Sequence, residues 1–406
     1  MTPPAAAARP LRILLGAFGD PGHAFPMLAL GERLVARGHA VALQTWRRWQ
    51  APAEAAGMTF LAAPEYQVWP TRERPLAPYA AAVRAAHETV PAVEAFAPDV
   101  AVADVLTVAP ALAAEVCGVP VATLVPHVHP WQPPGCPPFS IGARRPRTRL
   151  GGLAWRAFDP AVRRGLELGR TQHNEARRRL GLGPLPYHYT GLSRSLTLVA
   201  TLPQLEYPRR WPAWLRVVGP LLWEPPGGEA VAPPAGSGPV VLLAPSTSQD
   251  PGGALLSAAL AGLARAPVRV IASTNGRDPA GVDVPANAVA VPWLSYARTM
   301  PACDVVVCHG GHGTLARALC SGCTVVVCPA GGDMAESAAR VDWAGLGTRL
   351  PRRLLTPWTL RLAVERALGD PRVRERAAAV ATWAAAHDGP AAAARELERW
   401  AEAVVA

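Results

Sequence analysis

The stretch His309-Gly310-Gly311-His312-Gly313-Thr314 gathers the chain's densest set of groups able to grip an anion. Ahead of it, Val305 to Cys308 is an apolar run of strand length. Behind it, Leu315, Ala316, Ala318 and Leu319 fall at helical spacing. The glycines therefore sit at a strand-to-helix turn, where the first N–H groups of the helix are unpaired and carry the positive end of its dipole. Gly311 and Gly313 let a ligand approach the backbone closely, Thr314 adds a hydroxyl, and His309 can supply an N–H. An anion site is expected here, most plainly for a phosphate. A second apolar strand (Thr324 to Cys328) follows, then Pro329, a glycine-rich turn and Asp333-Met334-Ala335-Glu336 at the start of another helix. Parallel neighbouring strands would set the two turns side by side.

His23 is the second group placed for chemistry. It follows the apolar strand Leu11 to Leu15 in Gly16-Ala-Phe-Gly19-Asp-Pro-Gly22-His23-Ala-Phe-Pro26, read as a loop. That is the edge at which α/β sheets bind ligands. Imidazole is the side chain best matched to removing a proton near neutral pH. Such a base is commonly held in one tautomer by a carboxylate. Asp104 ends the strand Val100 to Ala103 on the same edge and is the expected partner. Asp20, on the same turn as His23, is the alternative, and Asp99 begins a strand on the opposite edge.

The order His-Gly-Gly-x-Gly-Thr, an Ala-Leu pair, Gly322, Pro329, Asp333 and Ala338-Ala339-Arg340-Val341 resembles the donor signature of nucleotide-sugar glycosyltransferases. Within that class (the UDP-glycosyltransferase-like family 1) it is most similar to the bacterial branch that decorates antibiotics and other natural products. The resemblance covers nearly the whole chain. It implies the GT-B fold, with two Rossmann-like α/β domains facing each other across a cleft and a last helix returning to the first domain. It implies that His23, in the H-x-x-P of His23-Ala-Phe-Pro26, is the catalytic base and Asp104 its dyad acid, and that His39 marks a structural turn. His309 and the Gly311, His312, Gly313, Thr314 turn would hold the diphosphate, with Ser246, Thr247 and Ser248 closing from another loop. Trp293 would stand beside the nucleobase and Asp333-Met334 beside the sugar. The proline-rich loops that carry Tyr66, Trp69, Trp131 and Phe139 would shape the acceptor pocket, or these rings would serve as plain packing.

The implied reaction is inverting transfer of a sugar from a thymidine- or uridine-diphosphate donor to a hydrophobic natural product. The nucleotide sugar is a co-substrate, and neither cofactor nor metal is expected. A sugar-nucleotide-binding auxiliary protein without transferase activity, or a GT-B epimerase, is the alternative; the epimerase would want several carboxylates near the anomeric carbon. One departure bears on the donor. The family commonly has Asp-Gln where this chain has Asp333-Met334. A thioether donates no hydrogen bond and accepts weakly, so a deoxyhexose is expected in place of glucose. Glu336 is the other candidate for the sugar contact.

The elements that must position these groups read as repeated strand-helix units, an α/β chain. The apolar runs Leu11 to Leu15, Met58 to Leu61, Val100 to Ala103, Val119 to Val125, Val240 to Ala244, Val268 to Ala272 and Ala288 to Val291 suit buried parallel strands. Tyr79 to Phe96 reads as a helix interrupted by Pro91, and Arg163 to Leu180 as an amphipathic helix. The expected organisation is an acceptor-binding domain over 1–223 and a linker over 224–239. A nucleotide-sugar-binding domain over 240–385 and a returning helix over 386–406 would complete it. The glycine spacing Gly16, Gly19, Gly22 is not G-x-G-x-x-G, and Gln44-Thr45-Trp46 offers no acid for a ribose, so a dinucleotide site is not expected.

Net charge is +10 with no lysine, every basic residue being arginine. The runs Arg144 to Arg149, Arg163-Arg164 and Arg177 to Arg179 read as solvated surface, with attraction of anionic substrates or a membrane face as the other reading. Nucleic acid is not an expected partner, and a monomer or homodimer is. No transmembrane run and no signal peptide are read, so a cytoplasmic location is expected. Seven cysteines, five of them between 303 and 328, are expected as buried reduced thiols. A zinc site of Cys320, Cys323, His309 and His312 is the weighed alternative.

Overall fold

The computed structural model describes residues 9–64, 79–187, 192–246, 250 and 252–405. In the first half the strands are β1 (Arg12–Gly16), β2 (Ala40–Thr45), β3 (Thr59–Ala62), β4 (Val100–Asp104), β5 (Val121–Val125), β6 (Thr197–Val199) and β7 (Leu215–Val217). They form one parallel sheet in the order β3-β2-β1-β4-β5-β6-β7. Every residue of β4 and the last four of β1 are buried, because helices cover both faces of the sheet. Register sets the ends of β1, β4 and β5 level, pairing Gly16 with Ala103 and Asp104 with Leu124.

The helices of this half are α1 (Pro21–Ala36), α2 (Gln50–Ala55), α3 (Ala80–Phe96), α4 (Val108–Val116), α5 (Arg149–Arg156) and α6 (Asp159–Arg179). Several differ from the sequence reading, which had no helix at α2 and began α6 at Arg163. Helix α1 begins at Pro21, a favoured first position, and runs through Pro26, so His23 stands in a first helical turn and not in a loop. Helix α3 continues across Pro91, held by an apolar cluster with α4 that includes Val83, Ala86, Val93 and Leu112. Helix α5 was not foreseen at all.

The second half repeats the scheme with β8 (Val240–Ala244), β9 (Arg269–Ser273), β10 (Ala288–Val291), β11 (Val305–Cys308), β12 (Thr324–Val327) and β13 (Gly347–Arg349). Their order is β10-β9-β8-β11-β12-β13, again all parallel. Cys308 lies level with Ala244 on one side and Val327 on the other. The turns after β8, β11 and β12 therefore open at one edge. Helices α7 (Ala254–Leu263), α8 (Tyr296–Thr299), α9 (His312–Cys320), α10 (Gly332–Ala344), α11 (Pro357–Gly369) and α12 (Pro371–Ala385) belong to this half.

Residues 224–239 contain neither strand nor α-helix. The last helix, α13 (Gly389–Val405), crosses back to the first sheet. Its Ala393, Ala394, Leu397 and Ala401 share a buried cluster with Ile13, Leu15 and Leu43. His39 fixes this return: its Nδ1 accepts from the Leu11 N–H at 3.1 Å, which leaves Nε2 to donate to Glu398 at 2.9 Å. Two facing parallel-sheet domains with such a returning helix make the GT-B architecture. No helix among the described residues is long and apolar enough to cross a membrane.

Candidate active site

The glycine turn after β11 has the expected build. Helix α9 starts at His312 with Gly311 as its N-cap, and no side chain caps it. Its first internal bond is made by Leu315 N–H to Gly311 O at 3.0 Å. The glycines do different work. Gly310 has φ +91, a conformation that favours glycine, and packs on the backbone oxygen and Cβ of Met334. Gly311 has an ordinary backbone, but a Cβ there would fall 2.4 Å from Nε2 of His309. Over Gly313 the space is open. His309 is thus held against the turn, with its Nδ1 3.4 Å from the Ala244 carbonyl at the end of β8. Burial pushes its pKa below the ordinary value, against the pull of that carbonyl and of Asp333.

Across from this turn stands the pair His23–Asp104. Nδ1 of His23 is 2.5 Å from Oδ2 of Asp104, whose other oxygen accepts from the Leu106 N–H at 2.6 Å. The carboxylate is wholly buried and the imidazole is exposed to 16%. This bond makes Nδ1 the donor and leaves Nε2 of His23 as the lone pair. Burial alone would lower the pKa of His23; the charge and hydrogen bond of Asp104 overrule it, with help from Asp333 and Asp20, and the net shift is upward. Asp20 instead faces Arg48 at 3.4 Å. Asp333 opens α10 in the second domain, yet its charge acts on His23, on His309 and on His127. It is therefore common to both sides of the cleft.

His127 was missed by the sequence reading. It follows β5 directly, on the edge that carries His23 and Asp104, and the rule that located Asp104 would have located it. Its Nδ1 donates to the Val128 carbonyl at 2.8 Å, and its ring stacks on Phe139 at 6.0 Å between centroids. Burial lowers its pKa, only partly offset by Asp333 and the Val128 carbonyl, so it stands neutral.

The two domains are bolted together beneath the site. Arg340 of α10 is fully buried; it donates to Glu206 at 2.5 Å, to the His129 carbonyl at 2.8 Å and to Glu336 at 2.9 Å, and lies over the Tyr207 ring. Gln132 adds a bond to Glu336 at 2.7 Å. Glu336 is thereby occupied and only 2% exposed, which removes it as the alternative sugar contact. Met334, two residues earlier and half-buried, stays beside Gly310.

The other expected residues fall as follows. Ser246 is buried in the loop after β8, Thr314 is half-buried in the first turn of α9, and Trp293 is exposed to 65% with its ring resting on Gly276. Trp293 is no core residue. The His312 ring is buried with neither nitrogen hydrogen-bonded; the Ala200 carbonyl weighs on its charge without completing a bond, and burial drives its pKa down to about 3. Its contribution to the turn is its backbone. Trp131 packs edge-on to Trp214 and His129, and Phe139 stacks on His127, so Phe139 alone of the described acceptor candidates adjoins the site. Tyr66, Trp69, Thr247 and Ser248 lie outside the described residues. All seven cysteines are free thiols, and Cys323 turns its Sγ to the Met300 and Cys303 carbonyls, away from His309.

Fold and site together define a GT-B protein whose two sheet edges set an imidazole–carboxylate pair opposite a helix-start turn of free N–H groups, and the chain is a glycosyltransferase, similar to those of natural-product biosynthesis. Residues 257–400 match the erythromycin biosynthesis protein CIII-like C-terminal domain family. The 4'-demethylrebeccamycin synthase of Lentzea aerocolonigenes is 27% identical over 93% of this chain and 96% of its own. The O-mycaminosyltylonolide 6-deoxyallosyltransferase of Streptomyces fradiae is 28% identical over 97% and 98%. Among solved structures, the calicheamicin glycosyltransferase CalG4 superposes with a TM-score of 0.73 at 24% identity, over 96% of this chain and 98% of the other.

Proposed function

We propose that the protein transfers a deoxyhexose from a nucleoside diphosphate, by a single inverting displacement, to a hydroxyl of a hydrophobic natural product. The observation that carries this reading is the His23–Asp104 pair opposite Asp333 and the α9 turn. In the step, Nε2 of His23 takes the acceptor hydroxyl proton while that oxygen attacks the anomeric carbon. The bond to the diphosphate oxygen breaks on the far face, so the configuration inverts. Asp104 holds the tautomer and stabilises the imidazolium that forms. The charge gathering on the leaving diphosphate meets the free N–H groups at the start of α9 and the Thr314 hydroxyl, with the His309 ring packed against the turn that presents them. These groups suffice for the leaving group without a divalent ion.

Met334 supports the deoxyhexose reading, since a methyl or methylene gains from contact with it where a hydroxyl would go unpaired, at a cost of about 1–3 kcal/mol. The thymidine-diphosphate form is the expected carrier, and the full-length likeness to a deoxyallosyltransferase accords with it. Asp333 and the neutral His127 are the acceptors left for the remaining hydroxyls, and Phe139 and His127 form one wall of the acceptor side.

The test is acceptor-dependent release of nucleoside diphosphate by wild type and by His23→Ala. Turnover is expected to fall at least roughly 100-fold in the variant while nucleotide binding stays within about twofold. Wild-type turnover in the variant would remove His23 from the mechanism. Binding without any release in wild type would return the protein to an auxiliary role.

A further inference from the structure

Helix α5 is built inside out. Leu150, Leu153, Ala154, Ala157 and Phe158 fall at i, i+3, i+4, i+7 and i+8, which is one continuous helical face, and Ala157 and Phe158 keep helical dihedrals across the junction with α6. All five are exposed, Leu150 to 78%, Leu153 to 57% and Phe158 to 51%. The residues turned toward the protein are the small ones: Gly151 lies against Pro146 and Gly152 beside Gly135, with half-buried Trp155 on the same side. Helix α5 buries no residue, and α6 buries none before His173. A short helix with two glycines at its centre has little stability of its own. Its leucine face is therefore built to be covered.

Charge identifies the cover. Between residues 147 and 165 stand Arg147, Arg149, Arg156, Arg163 and Arg164 against the single acid Asp159. Arg149 and Arg156, seven residues apart, run along one flank of the apolar stripe. A second copy of the same face would set these arginines against themselves. An apolar layer beneath anionic head groups satisfies both the leucines and the arginines.

We infer that α5 and the start of α6 form an interfacial helix that seats the protein on an anionic lipid bilayer, with Leu150, Leu153 and Phe158 at the acyl boundary. The preceding segment packs on α10, Gly142 against Ala335 and Arg144 paired with Asp342 at 2.9 Å. The seated helix thus lies next to the mouth of the cleft, where a lipophilic acceptor would arrive from the bilayer.

Co-sedimentation of the full chain with vesicles tests this. With equal parts phosphatidylglycerol and phosphatidylcholine, binding is expected at least roughly tenfold tighter than to phosphatidylcholine alone, and weakened in about 0.5 M salt. The triple substitution Leu150→Ser, Leu153→Ser, Phe158→Ser should weaken it by at least roughly tenfold with the melting temperature unchanged, as these side chains are exposed. Arg149→Gln with Arg156→Gln should remove the preference for the anionic vesicles, and it decides the matter if the triple variant does not fold. Trp358→Ser, at a 68% exposed site in the other domain, should change nothing. No binding, equal binding to both vesicles, or wild-type binding by the substituted proteins overturns the inference. So does a dimer in gel filtration that the triple substitution splits, which would make the face a contact between copies.

Discussion

Gly311→Ala isolates the grip on the diphosphate. The backbone offers no resistance, since φ −58 and ψ 130 suit any residue. Space does: the added carbon would lie 2.4 Å from Nε2 and 3.1 Å from Cε1 of His309, where ordinary contact begins at 3.4 Å. The ring must retreat by about 1 Å, pivoting on the Ala244 carbonyl that holds its other nitrogen. A misplacement of that size costs on the order of 100-fold in rate. The expected fall in kcat/KM is therefore roughly 100-fold, with weaker nucleoside diphosphate binding and an unchanged melting temperature. Steady-state release of nucleoside diphosphate and calorimetric binding measure both. The decisive arm is the double variant: with His309→Ala already present there is no ring to displace, and Gly311→Ala should cost less than about twofold more. Additive losses would refute the argument, because the glycine would then be acting on something other than His309.

Asp104→Asn should move the acid limb of the kcat/KM profile. His23 works as a base only when deprotonated, and Asp104 is the main influence raising its pKa, so without that charge the limb shifts to lower pH; the plateau should fall at least roughly 100-fold because the tautomer is no longer fixed. A limb that stays in place would assign it to another group. Met334→Gln should shift preference at least about tenfold toward a fully hydroxylated donor, read by comparing thymidine-diphosphate deoxyhexose with uridine-diphosphate glucose; a wild type that already prefers glucose, unaltered in the variant, ends the deoxyhexose reading. His129 and His312 are buried with pKa values lowered to about 3. Both are neutral in the folded chain, so stability is full above the unfolded value of 6.5 and falls as pH drops from there toward 3, by about 1.4 kcal/mol per pH unit per site. Denaturant midpoints between pH 7 and 4 should show it, and His312→Gln should flatten the slope.

The candidate site was legible where position on a sheet edge brings side chains together. Strand-to-helix glycines marked the turn whose helix start is left uncapped, and the edge rule paired His23 with Asp104 across 81 residues of chain. His127 satisfies that rule equally well and escaped because its loop was read for aromatics. What sequence could not display is which long-range partners meet: Arg340 was visible as part of a motif, but its bonds to Glu206 and the His129 carbonyl span 134 and 211 residues. Those bonds also decide that Glu336 is spent on structure. Helix α5 escaped for a local reason. Gly151-Gly152 argues against a helix, and an apolar stripe that faces outward has no core to betray it.

Helix α13 has a consequence for how the chain is made. Its Ala393, Ala394, Leu397 and Ala401 complete the core that begins with Ile13 and Leu15. The first domain, although synthesised first, lacks one wall of its interior until residues 393–401 exist. At ribosomal speeds of about 5–20 residues per second, the chain beyond Trp223 takes on the order of ten to forty seconds to make. For that interval the α1 side of the first sheet keeps apolar surface open to water.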